Sequence, residues 1–343
     1  MMNNQILLSV CVPTYNRPTQ FRRMLIGLMP QLTDEIELVI RDDSPNNETK
    51  KVFEELIEKF KPVSKLSYFK GEKIGLDAAN LFLLENATGK YIWWFSDDDE
   101  FMPGAISRTL ELVKRYPEIT FIWVNFCDSE ILAVDKDDGF FRDRNDVLES
   151  LSVGAIGLLS TYFLRREDAL RALPLVKKFI KGFSFASTAV VIYVLTGQGK
   201  FYFLRGPYIF CHESMSVEEI KNSILPGRKI ENKYFDIFGV DFFNIIMEFK
   251  DKFSRRAVNK ILTNSFSCVW RGILVGWVGG WDTPKGKRWK MFKLYWDFPE
   301  FWIAMPLFLM PLWINKILYK FYKLFFSHRK FILDEKLRLF WRK

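Results

Sequence analysis

Histidine is nearly absent from this sequence: 343 residues carry two, His212 and His328. That excludes a metal centre built from histidines. Cysteine is scarce as well. The four present, Cys11, Cys127, Cys211 and Cys268, lie far apart and form no CxxC pair. Neither a zinc cluster nor a disulfide framework fits them, so a reducing cytosol is the expected setting. There is no GxxxxGKS/T phosphate loop and no GxGxxG after the first strand-like run, so a glycine cradle for phosphate is not expected. The opening MMNNQILLSV has no basic stretch ahead of a long apolar run, and no secretory signal is read there. Internal repeats and low-complexity segments are also lacking.

What is present is a core. Hydrophobic residues make up 49% of the chain, with 34 Phe, 12 Tyr and 11 Trp, which excludes disorder. The length predicts about two domains. Net charge is +9, and it is unevenly placed. Residues 281–343 hold ten lysines and four arginines against three aspartates and two glutamates, so this tail carries the whole excess. A neutral front and a basic, aromatic tail point to two jobs.

The front alternates strand and helix. Residues 6–12 (ILLSVCV), 36–40, 65–69, 91–95 (YIWWF) and 119–126 are short apolar runs, as in buried strands. Between them, Pro18 predicts a helix start with Phe21, Leu25 and Leu28 at helical spacing. Residues 50–60 place Val52, Phe53, Leu56, Ile57 and Phe60 on one face. Residues 76–86 read as a helix closed by Gly89, and 103–116 as another. This β-α-β pattern predicts a mostly parallel, Rossmann-like sheet covered by helices on both faces. Ligands bind such sheets beyond the carboxyl ends of the strands.

Two strands end in acid, Asp42-Asp43 and Asp97-Asp98-Asp99. Aspartate is common in turns, and that explains Asp42-Asp43 equally well. Three consecutive aspartates repel one another unless a cation compensates them. A hard divalent cation with oxygen ligands, Mg²⁺ or Mn²⁺, does so and bridges a diphosphate.

Residues 9–18 (SVCVPTYNRP), 39–44 (VIRDDS), Gly75, Asn80, 87–91 (ATGKY) and 96–103 together resemble, in order and spacing, the family 2 glycosyltransferases, which have the GT-A fold. Residues 210–216 (FCHESMS) resemble the end of their catalytic domain. The Ser-Asp-Asp-Asp run is most similar to bacterial enzymes that build O-antigen or capsule repeats. The resemblance implies that Pro13 and Tyr15 line the base and ribose pocket, that Asp43 with Asp42 beside it contacts base or ribose, and that Asn80 belongs to the nucleotide-sugar site. It implies Asp98 as metal ligand, Asp97 on ribose, metal or metal-bound water, and Asp99 near the sugar or acceptor. Ser96 stands where the family's DxD motif usually begins with Asp. Inverting members carry a carboxylate base some way after the metal motif, yet residues 169–212 contain no Asp or Glu. His212 and Glu213 are the nearest candidates for that base, with Glu167 and Asp168 on the other side; a lone histidine at a strand end is as readily a packed surface residue.

The tail is read in two parts. Residues 216–283 are expected to be a helical extension, with Phe235, Phe238, Phe242, Phe243 and Ile246 near one face. In 284–343, basic and aromatic residues alternate, and 301–314 is uncharged but broken by Pro306 and Pro311. Fourteen residues are too few to span a bilayer, which takes about 20. Residues 313–326 combine a lysine stripe (Lys316, Lys320, Lys323) with a broad aromatic face, as in a helix lying in the membrane interface. The alternative is a helical subdomain or a homodimer interface. A nucleic-acid partner is not expected, because the aromatics sit among aliphatics and the front is neutral. The expectation is thus a GT-A catalytic domain (1–215), a helical extension (216–283) and membrane-interface helices (284–343). The protein would be cytoplasmic and peripheral on the inner face of the cell membrane. It would transfer sugar from a nucleotide-diphosphate donor to a lipid-linked glycan. A non-catalytic nucleotide-sugar sensor or scaffold, and a transferase with a soluble acceptor, are the rivals.

Overall fold

In the computed structural model, which describes residues 6–128, 132–179, 185–212, 234–278 and 284–326, the chain begins with β1 (Leu8–Thr14), buried on both faces. Helix α1 (Pro18–Leu28) starts on Pro18 and buries Phe21, Met24, Leu25 and Leu28 at helical spacing. The alternation continues through β2 (Ile36–Asp42), α2 (Glu48–Phe60), β3 (Lys65–Lys70), α3 (Leu76–Asn86) and β4 (Tyr91–Trp94). Then come β5 (Asp99–Phe101), α4 (Ala105–Arg115), β6 (Ile119–Cys127) and β7 (Gly139–Phe140). Short helices α5 (Arg144–Ser150) and α6 (Val153–Ile156) precede β8 (Tyr162–Arg165), α7 (Arg166–Phe179), α8 (Ala186–Leu195) and β9 (Lys200–Cys211). The sheet runs β3-β2-β1-β4-β8-β6-β9-β5, with β7 also on β9.

The block β3-β2-β1-β4 is parallel, as the pattern predicts. Beyond it the sheet is mixed. Strand β8 enters antiparallel between β4 and β6, and β5 and β7 pair antiparallel with β9. No crossover helix is needed for such pairings, so the βαβ rhythm does not announce them. Trp93, Trp94 and Trp123 are fully buried, and burying an apolar side chain stabilises by roughly 1.5–3 kcal/mol. Their indole N–H groups donate to the carbonyls of Ser160 (2.7 Å), Asn80 (3.1 Å) and Ala155 (3.2 Å).

One charge lies inside the parallel block. Glu37 in β2 is fully buried and accepts hydrogen bonds from Ser9 Oγ (2.5 Å), Thr88 Oγ1 (2.8 Å) and the Thr88 and Gly89 amides. Lys65 Nζ is 3.0 Å away. Burial pushes its pKa up, but these partners, led by Ser9, outweigh that and hold it below the usual value. Gly89 does not close α3, which ends with the Ala87 amide on the Leu83 carbonyl. Glycine stands at 89 because a Cβ there would fall 2.7 Å from the Ser9 nitrogen. The acidic residue and the glycine together fix the entry into β4.

The chain divides into two compact units, Met1–Val147 with Gly154–Arg228, and Leu148–Val153 with Lys229–Lys343. The described residues of the second unit are mostly helical. After a π-helical segment (Tyr234–Asp241) come α9 (Phe242–Glu248), α10 (Arg255–Val278), α11 (Lys287–Tyr295), α12 (Pro299–Leu309) and α13 (Leu312–Phe326). Its core gathers Phe235, Phe266, Val269, Met291, Tyr295, Phe301 and Phe308. By length and composition alone, α10 could cross a bilayer, but about half of its apolar window is buried within the fold (47%). Helices α12 and α13 meet at a bend of 118°.

Candidate active site

Strand order reverses at β1: β2 lies on one side of it and β4, reached later, on the other. The crevice beyond their carboxyl ends is where ligands bind in sheets of this kind. Two loops meet there. From the end of β1, Thr14 Oγ1 donates to Asp97 Oδ2 (2.8 Å). Arg17 Nη1 lies 2.9 Å from Asp97 Oδ1 and 3.1 Å from Asp98 Oδ2. From the end of β4, Ser96 Oγ donates to Asp98 Oδ1. Arg23 in α1 reaches the same loop, donating to the Asp98 carbonyl (2.9 Å) and pairing with Glu100 (2.9 Å).

The acids after β2 form a second wall. Asp42, fully buried, accepts from Tyr68 Oη (2.6 Å), Lys70 Nζ (3.0 Å) and the Ser44 amide (2.8 Å). It therefore braces the loop from below. Asp43 accepts from Arg41 Nε (2.6 Å) and the Ile74 amide (3.0 Å). Gly71 leaves room for that guanidinium, since a Cβ there would meet Arg41 Nη2. Pro13 is paired in register with Arg41, and Lys73 Nζ stands 4.6 Å from the centre of the half-buried Tyr15 ring.

The remaining expected residues sit in α3, in β5 and just after β9. Asn80 is buried in α3, and its Oδ1 has no hydrogen-bond partner among the described residues. Asp99, in β5, accepts from Ser160 Oγ (2.5 Å). Because Asp99 pairs with Cys211 across β5 and β9, His212 arrives beside the acidic loop, where Nε2 hydrogen-bonds Glu100 Oε1 (2.5 Å). Glu213 lies outside the described residues. Arg17, Arg23, Arg41 and Glu100 were not singled out from the sequence. For the three arginines the neutral front signalled only that cations lie near its acid clusters, not which ones.

Burial pushes the Asp97 carboxyl up to about 6, against the pull of Arg17 and Thr14 and with a further push from Asp98. A carboxylate so poised is a common mark of a functional site. No group of three or more His, Cys, Asp or Glu is placed to hold a metal ion among the described residues. Mg²⁺ and its relatives do not need one. They are commonly held by one or two carboxylates and by substrate phosphates. Asp97 and Asp98, converging on a single point, fit that pattern.

A parallel block continued by antiparallel strands agrees with the expected GT-A fold, and the likeness to solved structures given below supports that fold. The sequence model "Glycosyl transferase family 2" matches residues 9–169 of the chain. The chain is 29% identical over 106 residues to the GalNAc(5)-diNAcBac-PP-undecaprenol beta-1,3-glucosyltransferase of Campylobacter jejuni, covering 30% of this chain and 33% of that one. It is 30% identical over 171 residues to the uncharacterized glycosyltransferase YibD of Escherichia coli K12, covering 50% and 45%. The chain thus spans between a third and a half of these curated relatives. Among solved structures it is similar to the 1–349 portion of S. aureus TarS in complex with UDP (TM-score 0.56, 14% identity, 92% of this chain and 91% of that one). It also resembles the mannosyltransferase PcManGT of Pyrobaculum calidifontis in complex with GDP-Man and Mn²⁺ (TM-score 0.50, 13% identity, 90% and 86%). At such identities these two structures speak to the fold alone.

Proposed function

We propose that the protein is an inverting glycosyltransferase that moves a sugar from a nucleotide-diphosphate donor to a polyprenyl-diphosphate-linked glycan of a bacterial surface polysaccharide. The observation that carries this is the convergence of Asp97 and Asp98 at the β1/β4 switch point of a family 2 domain. These two residues would hold Mn²⁺ or Mg²⁺, which neutralises the charge that develops on a departing diphosphate. Tyr15 offers an aromatic face beside the Lys73 ammonium, suited to a base and its phosphates. Pro13, Asp42 and Asp43, on the paired ends of β1 and β2, would contact base or ribose, Asn80 would offer its buried carbonyl oxygen, and Asp99 would act on sugar or acceptor. His212 is the proposed base. In the tautomer whose Nε2–H donates to Glu100, Nδ1 keeps a lone pair that would accept the acceptor's proton. Glu213 remains a second candidate.

The lipid acceptor is argued from two sides. The Campylobacter relative carries an undecaprenol diphosphate in its name. In this chain, α13 turns its apolar side outward. Trp313, Ile317, Leu318 and Phe321 are exposed, whereas the one buried residue between Leu312 and Phe321 is Asn315, which donates to the Leu307 carbonyl (2.7 Å). Trp302, Ile303 and Leu309 of α12 are exposed as well. Exposed aromatics with exposed Lys290, Lys293, Lys316 and Lys320 suit the anionic cytoplasmic leaflet. The absence of acid from residues 169–212 favours one other reading, a non-catalytic nucleotide-sugar-binding membrane scaffold. The two are separated by turnover. Incubation with a panel of nucleotide sugars, Mn²⁺ and polyprenyl-diphosphate glycans should release one nucleoside diphosphate in step with glycan extension. A folded protein that extends no acceptor is the scaffold.

A further inference from the structure

Arg17 occupies the point at which Asp97 and Asp98 converge. A single nitrogen, Nη1, serves both carboxylates, at 2.9 and 3.1 Å. All three side chains are largely withdrawn from water, with exposures of 10%, 5% and 20%. We propose that Arg17 is the resident counter-ion of this pair, and that a divalent cation enters only by displacing it. The inference rests on the transferase reading of the same site.

Three observations support it. A buried carboxylate pair without a cation is strongly unfavourable, so the protein must supply one when no metal is bound. Arginine does this with a planar group whose several donors can serve two acids at once. Next, Arg17 Nη1 engages one oxygen of each carboxylate, Asp97 Oδ1 and Asp98 Oδ2. The other oxygens are taken by Thr14 and Ser96. A divalent ion held by these two carboxylates would compete with the guanidinium for their oxygens. Finally, Arg17 stands in the short loop between β1 and α1, next to Asn16 with its positive φ of 55°, and not within a helix or strand. Its stem can carry the charge aside without unwinding an element. The place to which a displaced guanidinium goes is a diphosphate, which it can grip with two parallel hydrogen bonds. Metal and nucleotide then load together, and metal alone loads poorly.

Mn²⁺ titration followed by the electron paramagnetic resonance of the free ion tests this without turnover. In the absence of nucleotide, Arg17→Gln should bind Mn²⁺ about tenfold more tightly than wild type. Arg23→Gln, which removes a nearby charge that touches neither carboxylate, should not match that gain. If Arg17→Gln fails to fold, Arg17→Lys carries the test. An ammonium bridges the two acids less well, and a gain of about threefold is expected. No gain in the folded Arg17 variant, or an equal gain in Arg23→Gln, overturns the proposal. The same titration of wild type with nucleoside diphosphates separates the two levels. If wild type binds Mn²⁺ and a nucleotide together while Arg17 variants gain nothing, only the counter-ion role fails. If wild type binds neither, the transferase reading fails with it.

Discussion

Glu100 and His212 are 112 residues apart and share a hydrogen bond because β5 and β9 pair antiparallel, Glu100 opposite Phe210. The pairing carries the proposed base to the acidic loop that follows β4. His212→Ala is expected to lower kcat by about 10²–10⁴-fold, the usual contribution of a positioned proton acceptor. Nucleotide affinity should be unchanged, and added imidazole should restore part of the rate. Glu100→Gln keeps the size and loses the charge, so its kcat should fall between the two. An unchanged kcat in His212→Ala would move the role to Glu213.

Asp97 makes a prediction about stability whose sign is set by burial. Its folded pKa, about 6, lies above the ordinary 3.8. The native state therefore holds a proton that the unfolded chain has already released between these values. Stability is fully present below 3.8 and declines as pH rises through about 6. Asp97→Asn should match wild type in urea unfolding at the acid end and exceed it above about 6, while metal-dependent nucleotide binding is lost. A variant less stable than wild type at pH 8 would contradict the assignment.

Glu37 behaves in the opposite sense. Its pKa is held below 4.5, so its stabilisation is present above that value and disappears as pH falls through the folded value. Glu37→Gln leaves Ser9, Thr88 and Lys65 with a weaker acceptor and should lose about 2–3 kcal/mol at pH 7. The gap to wild type should narrow in acid. A gap that stays constant down to pH 3 would rule out the charged network as its source.

The outward aromatics of α12 and α13 are expected to bind vesicles that contain anionic lipid. Replacing Trp302, Trp313 and Phe321 with serine should abolish co-sedimentation without unfolding the second unit, because all three are exposed. Removing residues 297–343 altogether is a poorer test. Phe301, Ala304 and Phe308 belong to the core of that unit. Retained sedimentation by the triple variant, or a dimer that dissociates with it, would favour the protein-interface reading of this face.

The parallel block was legible from sequence because strands buried on both faces read as near-continuous apolar runs, as residues 6–12 and 91–95 do. Strand β8 was not: its residues, YFLR, are too few to show a period, and it joins the sheet antiparallel. The acidic half of the site was visible as clustered charge. The basic half was not, because Arg17 and its partner Asp97 are 80 residues apart and nothing local in the loop requires the contact. Gly89 was misread for a similar reason. Its neighbour is Ser9, across the sheet, and a glycine after a helix looks like a stop signal whatever the cause. In the tail, residues 301–314 look uniformly apolar, but the fold sorts them. Phe301, Ala304 and Phe308 go to the core, and Trp302, Ile303 and Leu309 stay outside.

The most direct test of the central claim is calorimetric titration of nucleoside diphosphates, with and without Mn²⁺, into wild type and Asp98→Ala. Tight binding of one nucleotide that needs the metal and is lost in Asp98→Ala is the predicted result. Well-folded wild-type protein that binds no nucleotide under either condition would contradict the account.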